Sequence, residues 1–171
     1  SPMGVGVETL WTRLVAGESG VVRNDRFDTT GFTSGIAGLV PSKADVPHGF
    51  DPADFIVGKV IKKMDLFIQY GIGAAAEALN QAGWHPASPG DQAGAATIIG
   101  SGVGGSPVMA RAVEIIQEKG PRRLSPFTVP SFLANLAAGW ISILHGFKGP
   151  IGAPVTACAA SAQAIGDGMR L

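Results

Sequence analysis

Pro154-Val155-Thr156-Ala157-Cys158-Ala159-Ala160-Ser161-Ala162 is the stretch that indicates the fold, because it places the only thiol of the chain between a predicted strand and a predicted helix. Residues 151–156 have the apolar character of a strand, and residues 159–171 that of a buried helix. The first turn of a helix leaves backbone N–H groups unpaired, and together with the helix dipole they stabilise an anionic sulfur. The small neighbours would let an acyl group approach, so that the Cys158 N–H could donate to an oxyanion. From this stretch alone, Cys158 is either a catalytic nucleophile or a small buried hydrophobic residue.

Helices and strands alternate over the rest of the chain. Helices are predicted for residues 5–16, 65–82, 108–119 and 131–144, a strand for residues 95–99, and mostly loop for residues 17–58. The predicted inward faces are Val7, Leu10, Trp11 and Leu14 in the first helix, Phe67, Tyr70, Gly71, Ala74 and Ala78 in the second, and Ala112, Val113, Ile115 and Ile116 in the third. This order predicts a layered α/β fold.

Composition excludes several classes of function. Of the 171 residues 46% are hydrophobic, which predicts a sizeable core, while 13 basic and 13 acidic side chains cancel, so we expect neither nucleic-acid nor anionic-membrane binding. The longest apolar run, residues 132–144, is shorter than the roughly 18 residues of a membrane span. One cysteine permits no internal disulfide and no ligand cluster has metal spacing, so we expect a cytoplasmic protein without metal or cofactor. The absence of an initiator Met and of a helix stop signal near Leu171 leads us to expect a domain truncated at both ends.

The glycine-rich stretch Gly100-Ser101-Gly102-Val103-Gly104-Gly105 follows a predicted strand and fits the dinucleotide pattern G-x-G-x-x-G. The helix after it runs into Gly120-Pro121-Arg122-Arg123 and not into a second strand ending in an acidic residue, so a ribose contact has no candidate. The dinucleotide interpretation is therefore disfavoured. A glycine turn required for packing alone remains open.

Five motifs occur in a compatible order between residues 63 and 161. They are Lys63-Met64-Asp65, the glycine-rich stretch, Ser125-Pro126-Phe127, Gly146-Phe147-Lys148-Gly149-Pro150 and Thr156-Ala157-Cys158-Ala159-Ala160-Ser161. Together they resemble the amino-terminal half of the β-ketoacyl-acyl-carrier-protein synthases of fatty acid synthesis. Members of that family often carry Gly where this chain has Ala160-Ser161, which blurs the assignment between fatty-acid and polyketide branches.

The resemblance implies a thiolase-like αβαβα fold, here its amino-terminal half over residues 1–171, in a homodimer. It implies an acyltransferase in which Cys158 accepts an acyl group from an acyl carrier protein and condenses it with a malonyl thioester in a decarboxylating Claisen reaction. The two active-site histidines of the family lie in the carboxyl-terminal half and are expected beyond Leu171. His48, His85 and His145 match no family motif and are interpreted as structural or surface residues, with a cation favoured at the helix end of His145. The 171 residues alone should therefore be inactive.

Further site residues follow from the same resemblance. Val103 would line the acyl pocket and help to set chain length, while Phe127 and Thr128 would meet the partner subunit and close the acyl tunnel. The basic residues Lys59, Lys62, Lys63, Arg122 and Arg123 would dock the acidic carrier protein. The plainer interpretations are an ordinary buried aromatic for Phe127 and a solvated surface for the basic residues.

Two other functions remain open. A polyketide ketosynthase would use the same chemistry on other acyl groups. A catalytically silent subunit that sets chain length would usually lack the nucleophile, so the presence of Cys158 counts against it.

Overall fold

The computed structural model describes all 171 residues, and its backbone divides into the units Ser1–Asp51 and Pro52–Leu171. In the first unit, helix α1 spans Val7–Val15, and strands β1 (Val21–Arg23) and β2 (Ile36–Gly38) pair antiparallel with Val21 opposite Gly38. The predicted first helix is confirmed. Its predicted inward face is wrong, because no residue of α1 is buried and Trp11 is 62% exposed. The two strands were predicted as loop, since three residues are too few to show a two-residue alternation.

In the second unit, helix α2 spans Leu66–Ala82, as predicted. Asp65 caps its amino end by accepting from the Phe67 N–H, and Gly83 ends it in the left-handed conformation that glycine adopts most easily. The predicted inward stripe is confirmed only in part. Phe67 packs against the core and Gly71 lies against α6, whereas Ala74 and Ala78 are exposed, and the buried residues of the helix are Ile68, Gln69, Ile72 and Gly73. The side chains of Ile68 and Ile72 bury more apolar surface than the alanines of the predicted stripe.

The core of the second unit lies between α2 and helix α6, which spans Leu136–His145. A Cβ built on Gly71 would lie 3.7 Å from the Ala137 Cβ and 3.9 Å from the Ile141 Cδ1, so Gly71 faces α6 and leaves room there for a methyl group. The buried members of this core are Ile56, Met64, Ile68, Ile72, Ala95, Ala137, Ile141 and Phe147.

Helix α3 (Pro89–Gly94) leads into strand β3 (Thr97–Ile98), which pairs parallel with β4 (Ile151–Gly152). Backbone hydrogen bonds extend this ladder past both strands. The N–H groups of Thr97, Ile99 and Ser101 donate to the carbonyls of Pro150, Gly152 and Pro154 at 2.9, 3.1 and 3.1 Å. Helix α6 and the last helix both contact β3, so the strand pair lies against helices as the α/β prediction requires.

Helix α4 spans Ser106–Lys119, as predicted, but none of its residues is buried. The single helix predicted for residues 131–144 is two helices, α5 (Thr128–Phe132) and α6, separated by Leu133 in an extended conformation. The break coincides with a hydrogen bond to a distant segment. The Phe132 carbonyl accepts from the Gly105 N–H at 2.9 Å, and the Leu136 N–H, which would use that carbonyl in a continuous helix, donates to Leu133 instead.

The last helix, α7, spans Ala160–Arg170 and buries only Ala160 and Ala164. The prediction of a helix here is confirmed, but the prediction that it is buried is wrong, because only its alanine edge is covered in the structure. No helix of the chain combines the length and the apolar content that a bilayer crossing requires.

Candidate functional site

Cys158 lies in a tight turn between the strand pair and α7. The last ladder bond ends at the Pro154 carbonyl, and Ala157–Ala159 then form a single 3₁₀ turn ahead of α7. The turn is closed by the Ala159 N–H, which donates to the Thr156 carbonyl at 3.0 Å, and by the Ala160 N–H, which donates to Ala157. The predicted strand–thiol–helix order is confirmed, with the difference that the thiol precedes the α-helix by one 3₁₀ turn.

The thiol is accessible, and the amide beside it is free. Cys158 is exposed, so the interpretation of this residue as a small buried hydrophobic side chain is wrong. Its backbone N–H donates to no acceptor in the structure, as expected for a group one turn ahead of a helix. An acyl carbonyl attacked by the sulfur would therefore find a hydrogen-bond donor on the same residue.

The glycine-rich loop after β3 lies directly against this turn. A Cβ built on Gly100 would lie 2.3 Å from the Ala160 carbonyl oxygen, so only glycine fits there. At the other end of the loop, Gly104 has φ 86°, and a Cβ on it would lie 2.6 Å from the Phe132 carbonyl oxygen. Close backbone packing thus accounts for these glycines without a nucleotide. Val103, in the same loop, is 68% exposed, and its acyl-pocket role stays a prediction.

Phe127 and Lys63 meet at the start of α5. The Lys63 Nζ lies 4.3 Å from the centre of the Phe127 ring, a cation–π contact. Phe127 is 43% exposed, so the plainer interpretation of an ordinary buried aromatic is wrong. Thr128, the first residue of α5, is half-buried, and its carbonyl accepts from the Ser131 hydroxyl at 2.7 Å. The acyl-tunnel role of both residues remains a prediction.

The predicted docking lysines lie in the 3₁₀ turn Gly58–Lys63, not in an α-helix. Residues three apart eclipse in a 3₁₀ turn, so exposed Lys59 and Lys62 share one edge, while Lys63 points elsewhere and reaches Phe127. The two arginines are exposed in the 3₁₀ turn Pro121–Arg123 that follows α4. Helix α5 contacts the lysine turn, and α4 contacts both α5 and the arginine turn, so these elements are neighbours. No carboxylate pairs with any of the five basic side chains.

None of the three histidines lies in the turn that carries Cys158. His145 ends α6 ahead of β4, whereas Cys158 follows the opposite end of that strand. Its ring stacks on Phe147 at 5.5 Å, and burial together with the nearby His85 lowers the pKa of His145. This direction runs against the expectation of a cation at this helix end, because burial disfavours the charged imidazole. In the first unit, His48 contacts the Arg13 guanidinium through its Nε2 at 2.5 Å, a structural role.

Two features of the site were missed in the sequence. Ala157 has φ 48°, the only positive φ at a residue other than glycine, and no pattern in the sequence predicts it. Asp65 lies at the far end of the glycine-rich loop, where a Cβ on Gly105 would come within 2.8 Å of the Asp65 Oδ2. The helix-capping pattern identifies Asp65 as a cap, but the contact with the loop depends on the tertiary fold.

Comparison with known proteins decides the family. A family model described as "Beta-ketoacyl synthase, N-terminal domain" matches residues 1–170. This chain belongs to the β-ketoacyl synthase family. The 3-oxoacyl-[acyl-carrier-protein] synthase 2 proteins of Rhizobium meliloti and Vibrio cholerae are 41% and 42% identical to this β-ketoacyl synthase chain over all 171 residues. Those residues cover 41% and 39% of the two relatives, so the chain spans about two fifths of their length.

Solved structures support the fold prediction. The ishigamide ketosynthase/chain length factor superposes with a TM-score of 0.79 at 27% identity, covering 99% of this chain and 42% of that one. A β-ketoacyl synthase from Burkholderia phymatum gives a TM-score of 0.74 at 25% identity, covering 98% of this chain and 40% of that one. The thiolase-like α/β fold predicted from the sequence is confirmed for this member of the β-ketoacyl synthase family.

Proposed function

We propose that this chain supplies the nucleophile of a 3-oxoacyl-acyl-carrier-protein synthase that elongates fatty acids by two carbons. The observation that carries the proposal is the exposed Cys158 in a turn ahead of α7, with its own N–H unpaired. The 41% and 42% identity to synthases of that name supports the same reaction.

In the first half-reaction, the Cys158 sulfur attacks the carbonyl of an acyl-carrier thioester. A new S–C bond forms, and the carbonyl oxygen becomes an oxyanion held by the Cys158 N–H. When this intermediate collapses, the bond between the carbonyl carbon and the carrier sulfur breaks, and the carrier leaves as a thiol with the proton that the Cys158 thiol has lost. In the second, a malonyl thioester loses carbon dioxide, and the resulting carbanion attacks the acyl carbonyl on Cys158. A C–C bond forms, and the Cys158 thiolate is released. Exchange between thioesters is nearly neutral in energy, so the acyl-enzyme can wait for its second substrate.

The acyl carrier protein is the proposed partner of the basic surface formed by Lys59, Lys62, Lys63, Arg122 and Arg123. Their side chains have no carboxylate partners in the chain, which leaves the charge available to an acidic protein. Changing Lys59 and Lys62 to Glu should raise the KM for the carrier thioester by about tenfold at low salt, with less effect at high salt. Lys148→Glu is the control, because Lys148 is exposed and precedes β4, whereas Cys158 follows that strand. Equal effects of both changes would remove the docking role.

A homodimer in the cytoplasm is part of the proposal. Phe127, Val129 and Leu133 leave an apolar surface exposed around α5, which a second subunit would cover. An exposed thiol that must remain free also favours a reducing compartment.

The decisive experiment uses the full-length gene product. After incubation with a long-chain acyl-carrier thioester, mass spectrometry should find the acyl mass on Cys158, and Cys158→Ser should abolish condensation because a hydroxyl forms no accessible anion there. Acylation elsewhere, or none in folded protein, refutes the mechanism. The 171 residues alone should give no condensation, and measurable turnover would overturn that part.

The second candidate is a polyketide ketosynthase, which the superposition on the ishigamide ketosynthase/chain length factor favours. Competition between long saturated and polyketide acyl thioesters for Cys158 separates the two functions. A silent chain-length subunit is disfavoured by the accessible thiol.

A further inference from the structure

The backbone is strained one residue before the nucleophile. Ala157 has φ 48°, in the left-handed region where side chains crowd the following carbonyl. Such a conformation persists only where the surrounding structure holds it in place. The residues that contact the turn on either side are therefore the ones that hold Ala157 in this conformation.

Those contacts come from the first residues of the glycine-rich loop. Ahead of the turn, the Ser101 N–H donates to the Pro154 carbonyl at 3.1 Å. Beyond the turn, the Gly100 backbone lies on the first residues of α7, since a Cβ there would come within 2.3 Å of the Ala160 oxygen and 2.7 Å of the Ser161 nitrogen. Residues 100 and 101 thus hold the backbone on both sides of Cys158.

We infer that Gly100 is a positioning residue for the nucleophile, acting through the turn that carries Cys158. This inference rests on the proposed acylation of Cys158 and adds a residue to its machinery. With a Cβ at position 100, the loop and α7 would have to separate by about 1 Å to reach ordinary contact. A displacement of about 1 Å between reacting groups costs about a hundredfold in rate.

Gly100→Ala tests this in the full-length gene product, with Gly102→Ala as the matched control. A Cβ on Gly102 would lie 3.8 Å from the Ala157 oxygen, an ordinary contact, so the same substitution in the same loop is tolerated. The single-turnover rate of Cys158 acylation should fall about a hundredfold in Gly100→Ala, with the KM for the carrier thioester within about twofold, whereas Gly102→Ala should stay within about threefold of wild type.

Alkylation of Cys158 by iodoacetamide separates positioning from loss of structure. The small reagent needs neither the oxyanion donor nor an aligned carbonyl, so its rate in Gly100→Ala should stay within about threefold of wild type while acylation falls. Acylation of Gly100→Ala at the wild-type rate refutes the inference and leaves the proposed function intact. A parallel fall in acylation, alkylation and melting temperature also refutes it. A wild-type protein not acylated on Cys158 refutes the proposed function first, and the inference with it.

A second pair of variants covers the case in which Gly100→Ala does not fold. The Ala157 side chain is exposed, so Ala157→Val adds no clash but places a β-branched residue at positive φ, which such residues rarely adopt. Ala157→Gly adopts that conformation freely. The glycine variant should acylate at least about tenfold faster than the valine variant, and equal rates would overturn the role of the left-handed turn.

Discussion

Asp65 joins the amino end of α2 to the glycine-rich loop, and its replacement tests that junction. Asp65 is 8% exposed, and its carboxylate accepts from the Phe67 N–H at 3.3 Å, while the Asp65 N–H donates to the Ser131 carbonyl at 3.1 Å. Asp65→Ala removes the capping bond, worth about 1 kcal/mol within a range of roughly 0.5–2. It also removes a negative charge from the helix amino end, worth about 0.3–1 kcal/mol. We expect a loss of about 1–3 kcal/mol in the free energy of unfolding.

Asp65→Asn is the matched variant, because the amide oxygen keeps the capping acceptor and only the charge is lost. Its cost should stay below about 1 kcal/mol. Urea-induced unfolding of both variants and wild type, monitored by circular dichroism, measures the difference. If Asp65→Asn is as destabilising as Asp65→Ala, the charge and not the cap stabilises this end of α2. If Asp65→Ala lowers the free energy of unfolding by less than about 0.5 kcal/mol, neither the capping hydrogen bond nor the charge stabilises this helix end as expected.

Three further predictions concern the core and its edge. The pKa of His145 is lowered by burial and by His85, so the unfolded chain takes up its proton first as the pH falls, and stability that is present above about pH 6.5 is lost below it. His145→Gln should therefore reduce the difference in melting temperature between pH 7.5 and pH 5, and an unchanged difference contradicts this. Gly71→Ala should raise stability by about 0.5–1 kcal/mol, measured by thermal unfolding, because a Cβ there meets its neighbours at 3.7 Å or more; a loss would mean that α2 and α6 cannot adjust. Ile141→Ala should lower the free energy of unfolding by about 2–5 kcal/mol, whereas Ile143→Ala, at 70% exposure, should lower it by less than about 0.5 kcal/mol. Similar losses for both variants in urea-induced unfolding would place the core elsewhere.

The sequence predicted the elements around Cys158 because each carries a local signal. The strand, the thiol and the following helix stand in one run of small and apolar residues, and Asp65 and Gly83 bound α2 with standard capping chemistry. Those signals come from neighbouring residues and do not depend on tertiary contacts. The same is true of Ser106–Lys119, where the periodicity locates the helix, although none of its residues is buried.

The predictions that were wrong concern features that depend on contacts between distant segments. Helicity over residues 131–144 is locally favourable throughout, and the break at Leu133 exists because Gly105, almost thirty residues earlier, takes the Phe132 carbonyl. The inward face of α2 was misjudged at Ala74 and Ala78, where small residues suggested close packing, while Ile68 and Ile72 are the apolar side chains that the core buries. Periodicity cannot choose between two apolar faces of one helix.

The glycine-rich loop contacts the start of α2, the end of α5 and the start of α7. At one end, Gly104 and Gly105 lie against Phe132 and Asp65, and at the other, Gly100 lies against the first turn of α7. Glycine at these three positions allows one backbone segment to contact the starts of two helices and the end of a third, which side chains would prevent. Lys63 belongs to the proposed docking surface and lies two residues before Asp65. The glycine-rich loop between Asp65 and the turn of Cys158 therefore joins the proposed docking surface to the nucleophile through tightly packed backbone. Close-packed elements of this kind transmit displacements instead of absorbing them. This explains why the arrangement of Cys158 should be sensitive to a single methyl group at position 100.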